Sequence, residues 1–459
     1  LDGLEFSEAL SGYFDKVSSI VLADILAGIP NGDPYEELRP VHGPGSTQEK
    51  ILGNSKYSLQ RWHTRLEAEF PFTEYGIGSL RNLGEDDCPL ANVEFIEPEN
   101  EEPVRVVFVP KTLKTPRVIA IEPVCMQYTQ QALLKFLVPL IESSGYAGGH
   151  VNFTRQSTNQ VLALRASVDG CLATIDLSEA SDRVSNQLVQ TMLHGYTNLS
   201  EAVQACRSTR ADVPGHGVIP LSKFASMGSA LTFPIESMIF LTLCFLGIEK
   251  RLGRRLTLPD VVRHTGKVRA YGDDLIVPTA DAVAVSETLE HYGFKVNEYK
   301  SYSKGNFRES CGKDYFRGTD VSIIKCRRMW PEPSTGRRQI SVNDMTSEET
   351  YEVISLVELR NNLYMRGLRM TADYLDTVIR GILPFWPDGK VDSPGLVRVV
   401  DGPIVSYDTW DSELHVGKVK AYVPRYKYRK TVLDGPGALL KYFLKQGLEP
   451  FADKNHLDR

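Results

Sequence analysis

The residues best suited to chemistry are three aspartates: Asp273 and Asp274, adjacent within Tyr271-Gly272-Asp273-Asp274, and Asp176, far upstream. Val268 to Tyr271 and Leu275 to Pro278 are β-forming runs, so the adjacent pair reads as the tip of a tight hairpin. Adjacent carboxylates repel and β-structure disfavours Asp. Setting two of them between buried strands costs stability unless a cation or a hydrogen-bond donor compensates. The plain alternative is a solvated Asp-rich turn, since Gly-Asp is a common turn element. Asp176 shifts the weighing, because it ends its own apolar run, Cys171-Leu172-Ala173-Thr174-Ile175. Its plain alternative is a carboxylate at the start of the following helix. Carboxylates converging from the two places would hold a pair of Mg²⁺ ions, hard cations that prefer oxygen ligands. Two such ions about 3.5 to 4 Å apart can activate an attacking hydroxyl and stabilise the leaving oxygen of an in-line phosphoryl transfer.

A complementary charge lies in Arg105, Lys111, Lys114 and Arg117, which follow one another with no acid between them. Such a track suits a triphosphate, whose charge grows on the departing pyrophosphate, although a solvated basic loop has the same composition. No G-x-x-x-x-G-K-[ST] segment occurs, so a P-loop nucleotide site is not indicated. Near the C-terminus Lys418, Lys420, Arg425, Lys427, Arg429 and Lys430 alternate with Tyr422, Tyr426 and Tyr428. Basic groups hold phosphates and tyrosines stack on bases, so the segment suits contact with RNA. An exposed strand with one apolar face shows the same alternation.

The elements that must position these residues follow from the pattern. Arg105 to Val109 and Arg117 to Ile121 read as a hairpin around a Pro-bounded loop, followed by a helix from about Met126 to Ile141. Cys171 to Leu177 reads as a buried strand, with Ser178 as N-cap of a helix to about Leu193. A loop leads to Ser226-Met227-Gly228-Ser229-Ala230. The apolar run Met238 to Ile248 after Glu236 reads as a buried helix too short to span a bilayer. After the aspartate hairpin, Asp281 is placed to cap a helix ending at Gly293, and Phe294 to Asn297 returns as a strand. Strand, helix, hairpin, helix, strand is a split-βαβ pattern, an α+β sheet with helices on one face.

The 459 residues allow two to four subdomains. The formal net charge of −6 gives no global support to polyanion binding, so any such site must be a local basic track. Cys88, Cys125, Cys171, Cys206, Cys244, Cys311 and Cys326 are scattered singly, which disfavours zinc or a disulfide framework and fits a reducing compartment. Leu1 to Glu5 lack a secretory pattern, and the reading is of a soluble, cytoplasmic chain. The opening on Leu rather than Met is consistent with residues missing upstream.

Several strings, taken in order, resemble the catalytic (beta) subunit of the replicase of single-stranded RNA bacteriophages, the levivirus type of RNA-dependent RNA polymerase. They are Val109-Pro110-Lys111 to Glu122-Pro123, Ala173 through Ser178 to Ser181-Asp182, and Ser226-Met227-Gly228 to Phe233. Glu236 to Phe240, Tyr271 to Asp274, and Phe307-Arg308-Glu309-Ser310-Cys311-Gly312 complete the series. The Met-Gly string and the last one are far more specific than Gly-Asp-Asp, which many RNA polymerases share.

The resemblance implies a right-hand architecture with a split-βαβ, RRM-like palm. Fingers would comprise residues 1–165, palm 166–325 with a fingers insertion near 200–222, and thumb with the C-terminal region 326–459. It implies that Asp176, Asp273 and Asp274 bind two Mg²⁺ ions, with Mn²⁺ able to substitute. Lys111, Lys114 and Arg117 would contact the triphosphate, and Ser226, Met227 and Gly228 would form a flexible loop that positions template and nucleotide. Lys300 would protonate the departing pyrophosphate, although Lys295, Lys300 and Lys304 also read as a solvated basic face. Glu309 to Gly312 would belong to a primer-gripping turn.

Implied partners are RNA template and product, ribonucleoside triphosphates, host elongation factors Tu and Ts, and the largest ribosomal small-subunit protein. No membrane is implied, and the expected location is the cytoplasm of the infected bacterium. Two departures stand out. Ser229-Ala230 replaces the usual Asn-Gly, so a reading of the ribose 2′-hydroxyl shared with Asp182 would be built differently. The N-terminal region is also shorter than usual, which puts host-factor contacts in question. A reverse transcriptase shares the aspartates, but Leu177-Ser178-Glu179-Ala180-Ser181-Asp182 offers only small and polar groups where a bulky side chain would bar the 2′-hydroxyl. A catalytically dead RNA-binding scaffold would have no need of the clustered acids.

Overall fold

The computed structural model describes residues 6–29, 34–78, 89–110, 115–331, 342, 345–402, 407–425 and 432–446. They divide into two compact units. One is drawn from Leu1–Val107, Val118–Ser322 and Thr431–Arg459, the other from Phe108–Arg117 and Ile323–Lys430. Apart from Phe108–Arg117, the stretches 1–165 and 166–322 thus contribute to a single unit.

In the first unit, helix α1 (Glu8–Val21) is capped by Ser7, whose side chain accepts from the Leu10 N–H. Strands β1 (Val104–Pro110) and β2 (Pro116–Ile121) precede helix α2 (Val124–Ser143). Helix α3 (Ser157–Asp169) leads into β3 (Leu172–Ile175), and after Asp176 the chain resumes as β4 (Leu177–Ser178). Helix α4 (Asn186–Leu193) and strands β5 (Arg210–Val213) and β6 (Gly217–Pro220) follow. The long helix α5 (Thr232–Leu252) comes next, then the hairpin of β7 (Arg269–Tyr271) and β8 (Asp274–Pro278). Helix α6 (Ala282–His291), β9 (Lys295–Val296), β10 (Phe307–Ser310) and β11 (Lys313–Phe316) complete the part that surrounds the aspartates.

Strand β8 lies in the middle of the aspartate sheet. It pairs antiparallel with β7 on one side and with β3 on the other, where Leu275 faces Ile175 and Pro278 faces Leu172. Beyond Asp176, β4 turns its ladder to β9, with Leu177 opposite Val296 and Ser178 opposite Lys295. In space the strands therefore run β9, β4 with β3, β8, β7, which places the first strand of the motif between the last strand and the hairpin. A second sheet has the order β2, β1, β5, β6, so the hairpin expected at Arg105 to Ile121 is extended by residues 210–220.

Helix α5 packs on α6 and α1 and is buried along most of its length. Its apolar run is longer than the sequence suggested. At 21 residues it is long and apolar enough to cross a membrane by length and composition, but 83% of its most apolar window is buried inside the protein. Phe240, Phe245 and Ile239 of this helix share one core with Leu275 and Val277 of β8 and Ala173 of β3. Burial of this kind, at about 25 cal/mol per Å² of apolar surface, fixes the aspartate sheet on its supporting helix.

Two capping expectations need correction. Ser178 lies in strand β4, and the helix begins later, at Ser185, whose hydroxyl accepts from the Leu188 N–H at 3.2 Å. Asp281 stands at the N-cap position of α6 but makes no side-chain cap; its buried carboxylate pairs with Arg251 of α5 instead. A charged partner outcompetes a backbone N–H for a buried carboxylate because the ion pair neutralises the charge.

The second unit contains α7 (Ser347–Met365) and α8 (Arg369–Ile382) around a core of Val353, Leu356, Val357, Leu375, Ile379, Leu383 and Trp386. Arg360, fully buried, donates to Asp376 and to the Val399 carbonyl, and Arg398 Nε reaches the same Asp376 at 2.6 Å. Of the basic C-terminal segment, Tyr422 packs on this core and its carbonyl accepts from the Leu396 N–H, and Lys418 pairs with Asp411. Lys427, Arg429, Lys430, Tyr426 and Tyr428 lie outside the described residues.

Candidate active site

Register places the aspartates. Ile175 of β3 faces Leu275 of β8, so one step further along this antiparallel pair Asp176 stands across from Asp274. Directly opposed residues have Cβ atoms about 4.5 to 5.5 Å apart on one face of a sheet. Asp273 occupies the turn immediately before. The Asp176 main chain is held by Ser301, whose Oγ accepts from the Asp176 N–H at 3.1 Å, and its Oδ2 accepts from Asn297 Nδ2 at 2.9 Å.

Asp274 is clamped from several sides. Its Oδ1 accepts from the Cys311 N–H at 3.2 Å, at the tight turn joining β10 to β11, where Cys311 has φ +48°. Helix α3 braces both partners: Gln160 Nε2 donates to the Cys311 carbonyl at 3.1 Å and Asn159 Nδ2 to the Asp274 carbonyl at 3.5 Å. Asn159 in turn accepts from Arg269 Nε at 3.0 Å. Burial first, and then the carboxylates of Asp273, Glu309 and Asp176, push Asp274 up to about 7 against the pull of the Cys311 N–H.

The turn itself rests on α5. Gly272 has φ +58°, and a Cβ there would fall 2.4 Å from the Phe233 ring and 3.0 Å from Glu236 Oε1, so no other residue fits without displacement. The Gly272 N–H donates to Ser237 Oγ at 3.0 Å. Phe233 is held edge-on between Phe153 and Tyr271, at centroid distances of 5.4 and 5.0 Å. Glu236 is buried, and its Oε2 has no hydrogen-bond partner among the described residues. Burial, Asp273 and Asp182 together raise its pKa well above the usual carboxylate range. Asn159 was not singled out from the sequence, and neither Glu236 nor Cys311, both within the strings quoted above, was assigned a contact with the aspartate turn. An acid at the head of an apolar helix was the visible signal for Glu236, and the string Phe307 to Gly312 was the signal for Cys311; Asn159 has none.

The remaining expected residues are distributed as follows. Lys300 Nζ lies 4.0 Å from Asp176 Oδ2, with its side chain 57% exposed. Asp182 sits on a 3₁₀ turn, Ser181–Arg183, and pairs with Lys223. Ser226, Met227, Gly228 and Ser229 form a loop tied to neighbouring structure: the Met227 carbonyl accepts from the Ala120 N–H of β2 at 2.9 Å. Gly228 has φ +135°, and a Cβ would meet the Ala120 carbonyl at 1.9 Å. Gln130 Oε1 of α2 accepts from the Ala230 N–H at 3.2 Å. Arg117 is exposed and falls in the second compact unit, while Lys111 and Lys114 lie outside the described residues.

Among the described residues no three His, Cys, Asp or Glu side chains converge tightly enough to hold a metal ion as they stand. The donor set nevertheless fits a hard divalent cation. It consists of carboxylate oxygens, and a cation would relieve the mutual repulsion that raises Asp274.

Asp176 and Asp274 thus stand at adjacent strand ends beside the buried helix α5, and comparison with known proteins says what the chain is similar to. A family described as "RNA replicase, beta-chain" matches residues 91–447, and the chain belongs to that family. Among curated proteins, the RNA-directed RNA polymerase beta chain of Enterobacteria phage fr is 39% identical over 216 residues, 47% of this chain and 36% of that one. The beta subunit of Escherichia virus Qbeta is 34% identical over 230 residues, 50% of this chain and 36% of that one. The beta chain of Escherichia phage MS2 is 38% identical over 216 residues, with 47% and 36% covered. The match thus spans little more than a third of each of these relatives.

Among solved structures, the RNA-dependent RNA polymerase of a human picorbirnavirus aligns with TM-score 0.40 at 11% identity, covering 60% of this chain and 55% of that one. The BmCPV RNA-dependent RNA polymerase at elongation state aligns with TM-score 0.40 at 12% identity, covering 76% and 31%. Resemblance at that level carries no argument about this chain.

Proposed function

We propose that this chain carries out RNA-templated RNA synthesis by nucleotidyl transfer and so replicates a phage single-stranded RNA genome. The observation that carries the reading is the register that sets Asp176 across from Asp274, with Asp273 in the adjoining turn. Membership of the RNA replicase beta-chain family supports it. The strand order around β8 supports a split-βαβ, RRM-like palm. The right hand proposed with it has fingers at 1–165, palm at 166–325 with a fingers insertion near 200–222, and thumb with the C-terminal region at 326–459.

Asp176, Asp273 and Asp274 would hold two Mg²⁺ ions, or Mn²⁺ in their place, which activate the growing 3′-hydroxyl and stabilise the leaving oxygen when bound. The hydroxyl attacks the α-phosphate, and the bond to pyrophosphate breaks. Lys300 would give a proton to the pyrophosphate, a role that its 4.0 Å distance from Asp176 Oδ2 supports. Lys111, Lys114 and Arg117 supply positive charge for the triphosphate. Ser226, Met227 and Gly228 position template and nucleotide, and Asp182 reads the sugar beside Ser229.

Template and product RNA and ribonucleoside triphosphates are the direct partners. Elongation factors Tu and Ts and the largest ribosomal small-subunit protein are the proposed host partners, in the cytoplasm of the infected bacterium. The test is primer-independent synthesis by purified protein, with and without host extract, using labelled ribo- and deoxynucleotides on one RNA template. Metal-dependent incorporation of ribonucleotides is expected. Preferential deoxynucleotide incorporation would favour a reverse transcriptase, and metal-independent RNA binding with no synthesis would favour a scaffold.

A further inference from the structure

Where Ser229 stands in place of Asn, its hydroxyl is turned to its own loop: Ser229 Oγ accepts from the Leu231 N–H at 3.3 Å, and the Ser229 N–H donates to the Ser226 carbonyl at 3.1 Å. The side chain that meets Asp182 is Lys223, whose Nζ donates to Asp182 Oδ1. Lys223 is 18% exposed against 50% for Asp182, so its stem is packed and only the carboxylate faces outward.

The main chain fixes this lysine closely. Ser185 and Lys223 form a bridge, the Phe224 N–H donates to the Val184 carbonyl at 2.7 Å, and the Lys223 carbonyl accepts from Arg207 Nη2 at 2.7 Å. The segment carrying Lys223 is therefore laid against the residues that follow Asp182, and three positions later it becomes the Ser226-Met227-Gly228 loop. Asp182 and Asp273 are both near enough to the buried Glu236 to raise its pKa.

We infer that Lys223 is the positioning residue for sugar selection in this chain: by holding Oδ1 of Asp182 it presents Oδ2 to the ribose 2′-hydroxyl of the incoming nucleotide, the task an Asn at position 229 would otherwise share. Oδ2 has no protein donor among the described residues. A hydroxyl donates to it and a deoxyribose cannot. A site built to hydrogen-bond a hydroxyl rejects the analogue lacking it by about 10⁴- to 10⁵-fold. An ammonium suits the task because it gives Asp182 a fixed, charge-assisted donor, whereas a serine hydroxyl can rotate away.

The inference rests on the polymerase reading and is tested on the full chain. kcat and KM are measured for one ribonucleotide and the matching deoxynucleotide on a single RNA template with Mg²⁺, for the unsubstituted chain, Lys223→Met and Lys223→Arg. Lys223→Met is expected to lower the ratio of kcat/KM between ribo- and deoxynucleotide about tenfold or more. The change should come through a raised KM for the ribonucleotide, with deoxynucleotide constants little altered and Lys223→Arg restoring most of the ratio. Should the Met variant fail to fold, Lys223→Leu, which likewise offers no donor and adds no bulk, is held to the same criterion. Equal losses for both sugars, or an unchanged ratio, overturn the inference and leave the polymerase reading standing. No synthesis by the unsubstituted chain overturns that reading and this inference with it.

Discussion

Asp274→Asn should make the metal-free protein more stable while abolishing its chemistry. In the folded chain Asp274 is pushed from the ordinary 3.8 up to about 7 by burial and by Asp273, Glu309 and Asp176. A carboxyl raised in this way favours folding when protonated, so its contribution is intact below about pH 4 and is lost as pH rises through 7. The span of roughly three pKa units corresponds to about 4 kcal/mol by pH 8. Asn is isosteric and cannot ionise, and its Oδ1 can still accept from the Cys311 N–H.

The measurement is denaturant and thermal unfolding of both proteins in EDTA at pH 4 and pH 8. The two should be close at pH 4. At pH 8 the Asn variant should lead by up to about 4 kcal/mol, of the order of 10 °C in Tm for a unit of this size. Added Mg²⁺ should then raise the wild-type Tm far more than the variant's, because only the carboxylate form gains from it. In RNA synthesis the variant should be slower at least about a thousandfold, near 4 kcal/mol of barrier. A variant that is less stable at pH 8 in EDTA, or a difference independent of pH, would refute the idea that Asp274 is held under unrelieved repulsion.

Other perturbations test the supports. Gly272→Ala should cost about 1–2 kcal/mol for its left-handed backbone and a further 1–3 kcal/mol for displacing Phe233. It should also slow synthesis about a hundredfold by shifting the aspartates; normal rates would show that the turn tolerates a Cβ. Glu236→Gln should match the wild type in unfolding experiments near pH 4 and be the more stable of the two at pH 8, since burial, Asp273 and Asp182 keep the acid protonated in the folded chain while the unfolded chain releases its proton. Glu236→Ala, which empties the space instead, should be the less stable of the two at either pH. Asp376→Ala should destabilise by about 3–5 kcal/mol in denaturant unfolding by leaving buried Arg360 and Arg398 without their shared carboxylate. A loss below 1 kcal/mol would mean that the arginines find other partners.

The strands and the hairpin were legible because their signals are local. Apolar runs of β-forming residues ending in Asp, with a Gly at the turn, specify a strand that stops at a carboxylate whatever lies around it. The buried helix was legible for the same reason, though not its length: polar punctuation at Thr232 and Lys250 does not mark the ends of a helix that is apolar almost all round. Caps were less legible. Ser178 and Ser185 are equivalent as cap residues, and only the pairing of Leu177 and Ser178 with β9 assigns the first to a strand and leaves the cap to the second.

Sequence alone thus determined which acids could act together and which family the chain resembles, because residue type and order are carried in the chain itself. Tertiary structure decided what surrounds them. That Gly272 rests on Phe233 and Glu236, that Cys311 offers its N–H to Asp274, and that Lys223 meets Asp182 are contacts between positions tens of residues apart. No periodicity or spacing encodes such contacts, since they depend on how α3 and α5 pack against the sheet once the core has excluded water.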